Sequence, residues 1–178
     1  MRSTPSSRLC KRIFPMTDTA FVIERTFAAP RALVWRTFTD KDLLSRWYGP
    51  GVETVIHELD IRPGGVWRTE MRFGENAMFE RMDYTEVTPE ARLVWEHFTT
   101  DADWEAIQNP RMPGWPKALL AEVDFADDGD GTSVRLTWTP HDASAEEIAV
   151  FQGAMDGFGR GWGSGFDVIE EILAELQG

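Results

Sequence analysis

The sequence predicts an α+β fold: a curved seven-stranded antiparallel sheet with two short helices and a long C-terminal helix packed across it. Three observations carry that prediction. The turns Pro63-Gly64-Gly65, Gly74-Glu75-Asn76 and Thr88-Pro89-Glu90 join strand-like runs by connections too short for a crossover helix, which makes an antiparallel meander. Phe166, Ile169, Ile172, Leu173 and Leu176 recur at three- and four-residue spacing, the period of an amphipathic helix. A sheet with one apolar face must also be covered, and this last helix is the element that can cover it.

The elements follow in order. Phe21–Phe27, β-branched and aromatic, reads as the first strand. Ala29-Pro30 opens a helix with Pro30 in its first turn and Leu33, Val34 and Phe38 as its apolar face. Thr39-Asp40 stops that helix and caps a second, Lys41–Trp47, which Gly49-Pro50-Gly51 ends. Strands are expected over residues 54–62, 66–73, 77–87 and 92–98. The segment 99–117 then breaks the rhythm with Pro110, Pro113, Gly114 and Pro116, a length typical of functional loops. Residues 119–126 and 132–140 form a further hairpin across an acidic turn. Asp142-Ala143-Ser144 caps the final helix, with Glu146 and Glu147 placed where the helix dipole favours them.

Gly153, Gly157, Gly161 and Gly165 recur every four residues on that helix, with Gly159 and Gly163 between them. Each glycine in a helix interior costs about 1 kcal/mol relative to alanine. Such a stripe implies close approach to the helix backbone by the sheet, a ligand or a partner helix. Its competing outcome is a broken helix.

At 178 residues the chain is long enough for a substantial core or an internal cavity, and eight tryptophans and eleven phenylalanines can fill the one or line the other. The net charge of −12 argues against nucleic acid and anionic membrane as partners. Cys10 is the single cysteine, so an intrachain disulfide and a thiolate metal cluster are excluded. No apolar run approaches the ~18 residues of a membrane span, and a cytoplasmic location is expected. Met16-Thr17-Asp18 reads as the start of the folded part: residues 1–16 are expected to be a disordered extension, and residues 17–178 one domain.

The chain from about residue 21 to residue 176 resembles the START-like or Bet v 1-like (SRPBCC) superfamily. Within it, the chain is similar to the bacterial family related to the C-terminal domain of the activator of Hsp90 ATPase. The carrying residues are Ala29-Pro30 with Val34-Trp35 and Phe38-Thr39-Asp40, then Leu44 with Trp47-Tyr48-Gly49-Pro50, then Asp60-Ile61-Arg62-Pro63-Gly64-Gly65 with Trp67-Arg68. Gly131-Thr132, Gly161-Trp162 and Phe166-Asp167 follow near the end. The resemblance implies a helix-grip fold with an apolar cavity between helix and sheet. Asp83 departs from the family pattern, which usually has glycine there, so its side chain faces either solvent or the cavity.

Period-two alternation puts Trp67, Thr69, Met71 and Phe73 on one face of their strand, which reads as inward, and puts Leu93, Trp95 and His97 together on theirs. On 77–87 both faces are mixed: Met78, Glu80, Met82 and Tyr84 oppose Phe79, Arg81, Asp83 and Thr85, and the direction stays open. His97 is the histidine with a candidate functional role, as a ligand hydrogen-bond partner or an acid–base group. The alternative is a core histidine satisfied by a neighbour. His57 and His141 have less claim, and no catalytic residue is assigned. No metal site is expected, because the histidines are scattered and the acidic turn at residues 127–130 lacks the ligand spacing of a calcium loop. No cofactor fingerprint occurs.

The expected function is a binding protein for an apolar or aromatic small molecule. Trp35, Trp47, Trp67, Trp95, His97, Trp138, Phe158 and Trp162 are the expected lining, and Trp104, Met112 and Trp115 of the long loop form a candidate lid. One alternative is a cyclase- or hydrolase-type enzyme in the same cavity, with Glu96, Arg81 or Asp83 assisting His97. Another is a co-chaperone-like module stimulating an Hsp90-type ATPase, its acidic surface facing a basic partner. Homodimerisation through a sheet edge or the aromatic loop is left open.

Overall fold

The computed structural model describes residues 19–178. The expected extension over residues 1–16, Cys10 included, lies outside them. The chain runs β1 (Phe21–Phe27), α1 (Arg31–Thr39), α2 (Lys41–Trp47), β2 (Glu53–Leu59), β3 (Val66–Phe73), β4 (Asn76–Thr88), β5 (Arg92–Thr100), β6 (Ala118–Asp128), β7 (Gly131–His141) and α3 (Ala145–Gln177). The strands form one antiparallel sheet in the order β1-β7-β6-β5-β4-β3-β2, so the chain's first strand closes the edge beside its last. This is the helix-grip arrangement the sequence predicts.

Local chemistry sets the boundaries. Asp40 ends α1 and caps α2, its carboxylate accepting from the amides of Asp42 and Leu43. Pro30 stands one position earlier than expected, as the N-cap of α1. In the β2–β3 turn, a Cβ on Gly65 would lie 2.1 Å from the Asp60 carbonyl oxygen, so only glycine fits there. Ser144 and Glu147 form a reciprocal capping box at the start of α3. α3 then runs unbroken for 33 residues through its glycines. The buried residues Phe151, Phe166, Ile169, Ile172 and Leu173 hold it to the sheet, each contributing about 1.5–3 kcal/mol.

The two faces of the sheet differ sharply. Trp67, Met82, His97 and Leu119 stand in one cross-strand row facing α3, and Tyr84, Trp95, Ala121, Trp138 and Phe21 in the next. The inward set on β3 is as expected, and β4 resolves with Glu80, Met82 and Tyr84 inward and buried. The other face carries ion pairs, including Arg68–Glu58, Arg72–Glu70 and Arg92 with Asp124, Glu122 and Glu86. Asp83 lies on this outer face, 3.1 Å from Arg81. Solvent-facing charge keeps that side from stacking on another apolar surface.

Candidate functional site

A pocket of about 210 Å³ opens between α3 and the inner face of the sheet. Trp47 and Tyr48, at the C-terminal end of α2, form one wall, and Met71 of β3 and Trp138 of β7 reach it from the sheet. Phe158 and Trp162 of α3 complete the aromatic lining. Between them the helix wall is bare backbone, because Gly157, Gly161 and Gly165 fall on the pocket side at four-residue spacing. The stripe was expected to mark close approach, and this holds at one glycine of the four. A Cβ on Gly165 would lie 3.1 Å from the Trp47 carbonyl oxygen, whereas at Gly153 and Gly161 it would meet nothing within 4 Å.

Behind Tyr48 lies a buried polar chain. The Tyr48 hydroxyl donates to Glu80 Oε2 at 2.8 Å, and His97 Nε2 lies 3.3 Å from Glu80 Oε1. All three residues are buried. Sheet register assembles them: Glu80 pairs with Thr99 and Met82 with His97, so Glu80 and His97 are diagonal neighbours on one face. A carboxyl group in an aromatic core requires such partners, since an unpaired buried polar group costs about 1–3 kcal/mol. Burial, then the adjacent Glu80 and the hydrogen bond to it, hold the Tyr48 hydroxyl well above the ordinary tyrosine range. Tyr48 therefore stays protonated and keeps donating to Glu80. The indole N–H groups of Trp67, Trp95 and Trp138 are buried nearby without a protein acceptor.

Of the residues expected to line a cavity, Trp47, Trp138, Phe158 and Trp162 border this pocket. Trp67 packs behind Tyr48 with ring centroids 4.6 Å apart, and Trp95 packs behind Trp67 at 6.0 Å. His97 packs on Trp138 with ring centroids 5.3 Å apart and does not itself border the pocket. Trp35 sits elsewhere, on α1 against Phe125. The three residues expected as a lid are divided. Trp115 is buried against Phe151 and Phe158, and Met112 is partly buried against the same core. Trp104 lies on the outer face against His57 and Phe79, where it cannot cover the pocket. The acid–base partners expected for His97 also diverge. Glu96 pairs with His141 on the outer face, where Arg81 and Asp83 pair with each other. Glu80 takes their place, and its signal in the sequence was a lone acid between Met78, Met82 and Tyr84. Tyr48 was visible only as part of a motif.

Among the described residues no helix is long and apolar enough to cross a membrane. No curated protein matches the chain in sequence. Solved structures match its fold. The protein Ms6760 from Mycobacterium smegmatis is 23% identical, with a TM-score of 0.73 over 88% of this chain and 91% of its own. A protein from Arthrobacter aurescens is 19% identical, with a TM-score of 0.74 over 89% and 87%. One from Staphylococcus epidermidis is 19% identical, with a TM-score of 0.73 over 89% and 91%. A family model matches residues 28–174, a span holding the helix pair, the glycine-walled pocket and the buried Tyr48–Glu80–His97 chain, and the protein thereby belongs to the family described as activator of Hsp90 ATPase homolog 1-like.

Proposed function

We propose that the protein binds a small apolar or aromatic molecule in the pocket between α3 and the sheet. The observation that carries this reading is a wall of aromatic side chains facing bare helix backbone at Gly157 and Gly161. Three glycines in one helix forgo about 2–3 kcal/mol of helix propensity relative to alanine. Open space, not tight packing, is what that cost secures at Gly157 and Gly161. The volume of about 210 Å³ lies below the ~300–1,000 Å³ of drug-sized sites and above a benzene-binding cavity of about 150 Å³. One or two fused rings match that size.

A proton-transfer reading draws on the Tyr48–Glu80–His97 chain beside the same pocket. The Tyr48 hydroxyl is already committed as a donor to Glu80, and its raised pKa makes it a poor acid near neutral pH. Binding is therefore the reading the geometry favours.

The test compares naphthalene binding by the wild-type protein and Gly161→Phe, followed by tryptophan fluorescence and amide chemical shifts. Phenylalanine at 161 projects into open space and fills the pocket. The expected result is saturable binding that perturbs Trp162 and Tyr48 in the wild type and is lost in the variant. Equal binding by both proteins, or none by either, would refute the proposal. Native mass spectrometry of protein purified from its host, followed by extraction, would identify a resident ligand.

A further inference from the structure

A second, larger cavity lies at the other end of β4 and β5, where residues 101–111 fold against the sheet. Its volume is about 460 Å³, inside the ~300–1,000 Å³ range of small-molecule sites. Met78, Phe79, Ile107 and Pro110 supply apolar walls, and Thr100 and Arg111 supply polar groups. Ile107 is one of two large hydrophobic residues exposed among those described.

Arg111 is the distinctive group. Among the described residues, every arginine except Arg111 and Arg160 has a carboxylate within ion-pair distance. Its guanidinium instead lies over the Phe73 ring, 4.5 Å from the centroid. Stacking in that way orients the planar fork and leaves its donors available to a carboxylate. The Thr100 hydroxyl, in a residue 3% exposed, has no hydrogen-bond partner. Thr100 also lines this cavity, and a buried polar group without a protein partner is one that an occupant can satisfy.

Asp101 and Ala102 of the cavity wall lead into a turn, residues 101–105, that is pinned by hydrogen bonds. Trp104 has φ +68, a left-handed conformation disfavoured for a bulky residue. Arg81 donates to its carbonyl oxygen at 2.6 Å, and Asp101 Oδ1 accepts the amides of Asp103 and Glu105, each at 3.0 Å. Asp101 also lines the cavity, and its charge opposes a second anionic group on any occupant.

We infer that this cavity is a binding site for a small monocarboxylic acid with an apolar body, its carboxylate on Arg111 and its body against Ile107, Pro110 and Met78. The site is separate from the pocket beside α3.

The test titrates octanoate, and octanamide as its neutral counterpart, into the full-length protein with amide chemical shifts as readout. The expected result is saturable octanoate binding that perturbs Thr100 and Ile107, with octanamide about tenfold weaker or more. Arg111→Gln and Ile107→Glu, both at exposed positions, should each weaken octanoate about tenfold or more. Gly161→Phe, which fills the other pocket, should leave it unchanged. The inference is overturned by absence of saturable binding at millimolar octanoate, by equal affinity for the amide, by an unaffected Arg111→Gln variant, or by perturbations confined to Gly161 and Trp162.

Discussion

Gly161 and Gly165 sit one helical turn apart on α3, and the same substitution should have opposite effects on them. Alanine at either position gains about 0.5–1 kcal/mol of helix propensity. At Gly161 the new methyl group meets nothing within 4 Å, so the gain should be kept. At Gly165 it would lie 3.1 Å from the Trp47 carbonyl oxygen and 3.2 Å from the Trp47 ring. Trp47 cannot readily move aside. It is 2% exposed, its indole N–H donates to the Thr37 carbonyl oxygen at 2.7 Å, and Phe38 packs on its ring at 4.8 Å. Overpacking of such a site costs about 1–3 kcal/mol, enough to reverse the propensity gain. The two variants should therefore differ by about 2 kcal/mol, or roughly 4–8 °C in Tm for a chain of this size. Thermal and urea unfolding of both single variants, followed by far-ultraviolet circular dichroism, measures the difference. If Gly165→Ala melts as high as Gly161→Ala, the stripe is not divided into one packed and several open positions, and the account of the helix wall fails.

Other perturbations test the buried chain and the helix caps. Glu80→Ala leaves the Tyr48 hydroxyl and His97 without their shared partner, and should cost about 2–5 kcal/mol in urea unfolding. Glu80→Gln keeps an acceptor for Tyr48 and should cost distinctly less; equal losses would mean that the chain contributes nothing beyond packing. Both tyrosines, Tyr48 and Tyr84, are raised above their ordinary value of 10.0 by burial, so the folded state holds these protons more tightly than the unfolded state. Their contribution is fully present below pH 10.0 and is lost as pH rises beyond it, so tyrosinate absorbance should appear only together with alkaline unfolding. Tyrosinate in a protein that still gives a native circular dichroism spectrum would contradict this. Ser144→Ala removes the acceptor of the capping box and should cost about 1 kcal/mol by the same unfolding assay. The Glu147 carboxyl is held below its ordinary value of 4.5, chiefly by the Ser144 amide, so the cap contributes above that pH and weakens as pH falls through the lowered value.

Much of this architecture is written in local patterns. The FVIERTF strand, the Lys41–Trp47 helix with its Asp40 cap and the Val66–Phe73 strand coincide with the residues expected to form them. Each rests on nearest-neighbour chemistry: β-branched alternation, a carboxylate cap, a glycine turn. The strands β4, β5, β6 and β7 extend beyond expectation because ladder hydrogen bonds from a neighbour carry the backbone past its own hydrophobic run. The inward faces of β3 and β5 were legible, the first because Trp67, Met71 and Phe73 alternate with charged residues and the second because Trp95 marks it, although Val94 and Phe98 lie opposite. On β4 they were not, because Glu80 among its methionines mimics a solvent-facing charge until His97 and Tyr48 are brought against it.

The sequence by itself determined the element order, the antiparallel meander and the covering helix, together with an aromatic content sufficient to line a pocket. Tertiary structure alone decided which aromatics meet. Trp35 and Trp104 have the same composition signal as Trp138 and Trp162, yet they lie on other surfaces. The fold also decided that three glycines of α3 face a pocket and that only Gly165 touches the opposing backbone. The physical reason is range: caps, turns and periodicity act over a few residues, whereas a pocket wall depends on how α3 crosses strands that are far away in sequence. Helical phase puts the glycines on one line, but packing against Trp47 determines what that line faces.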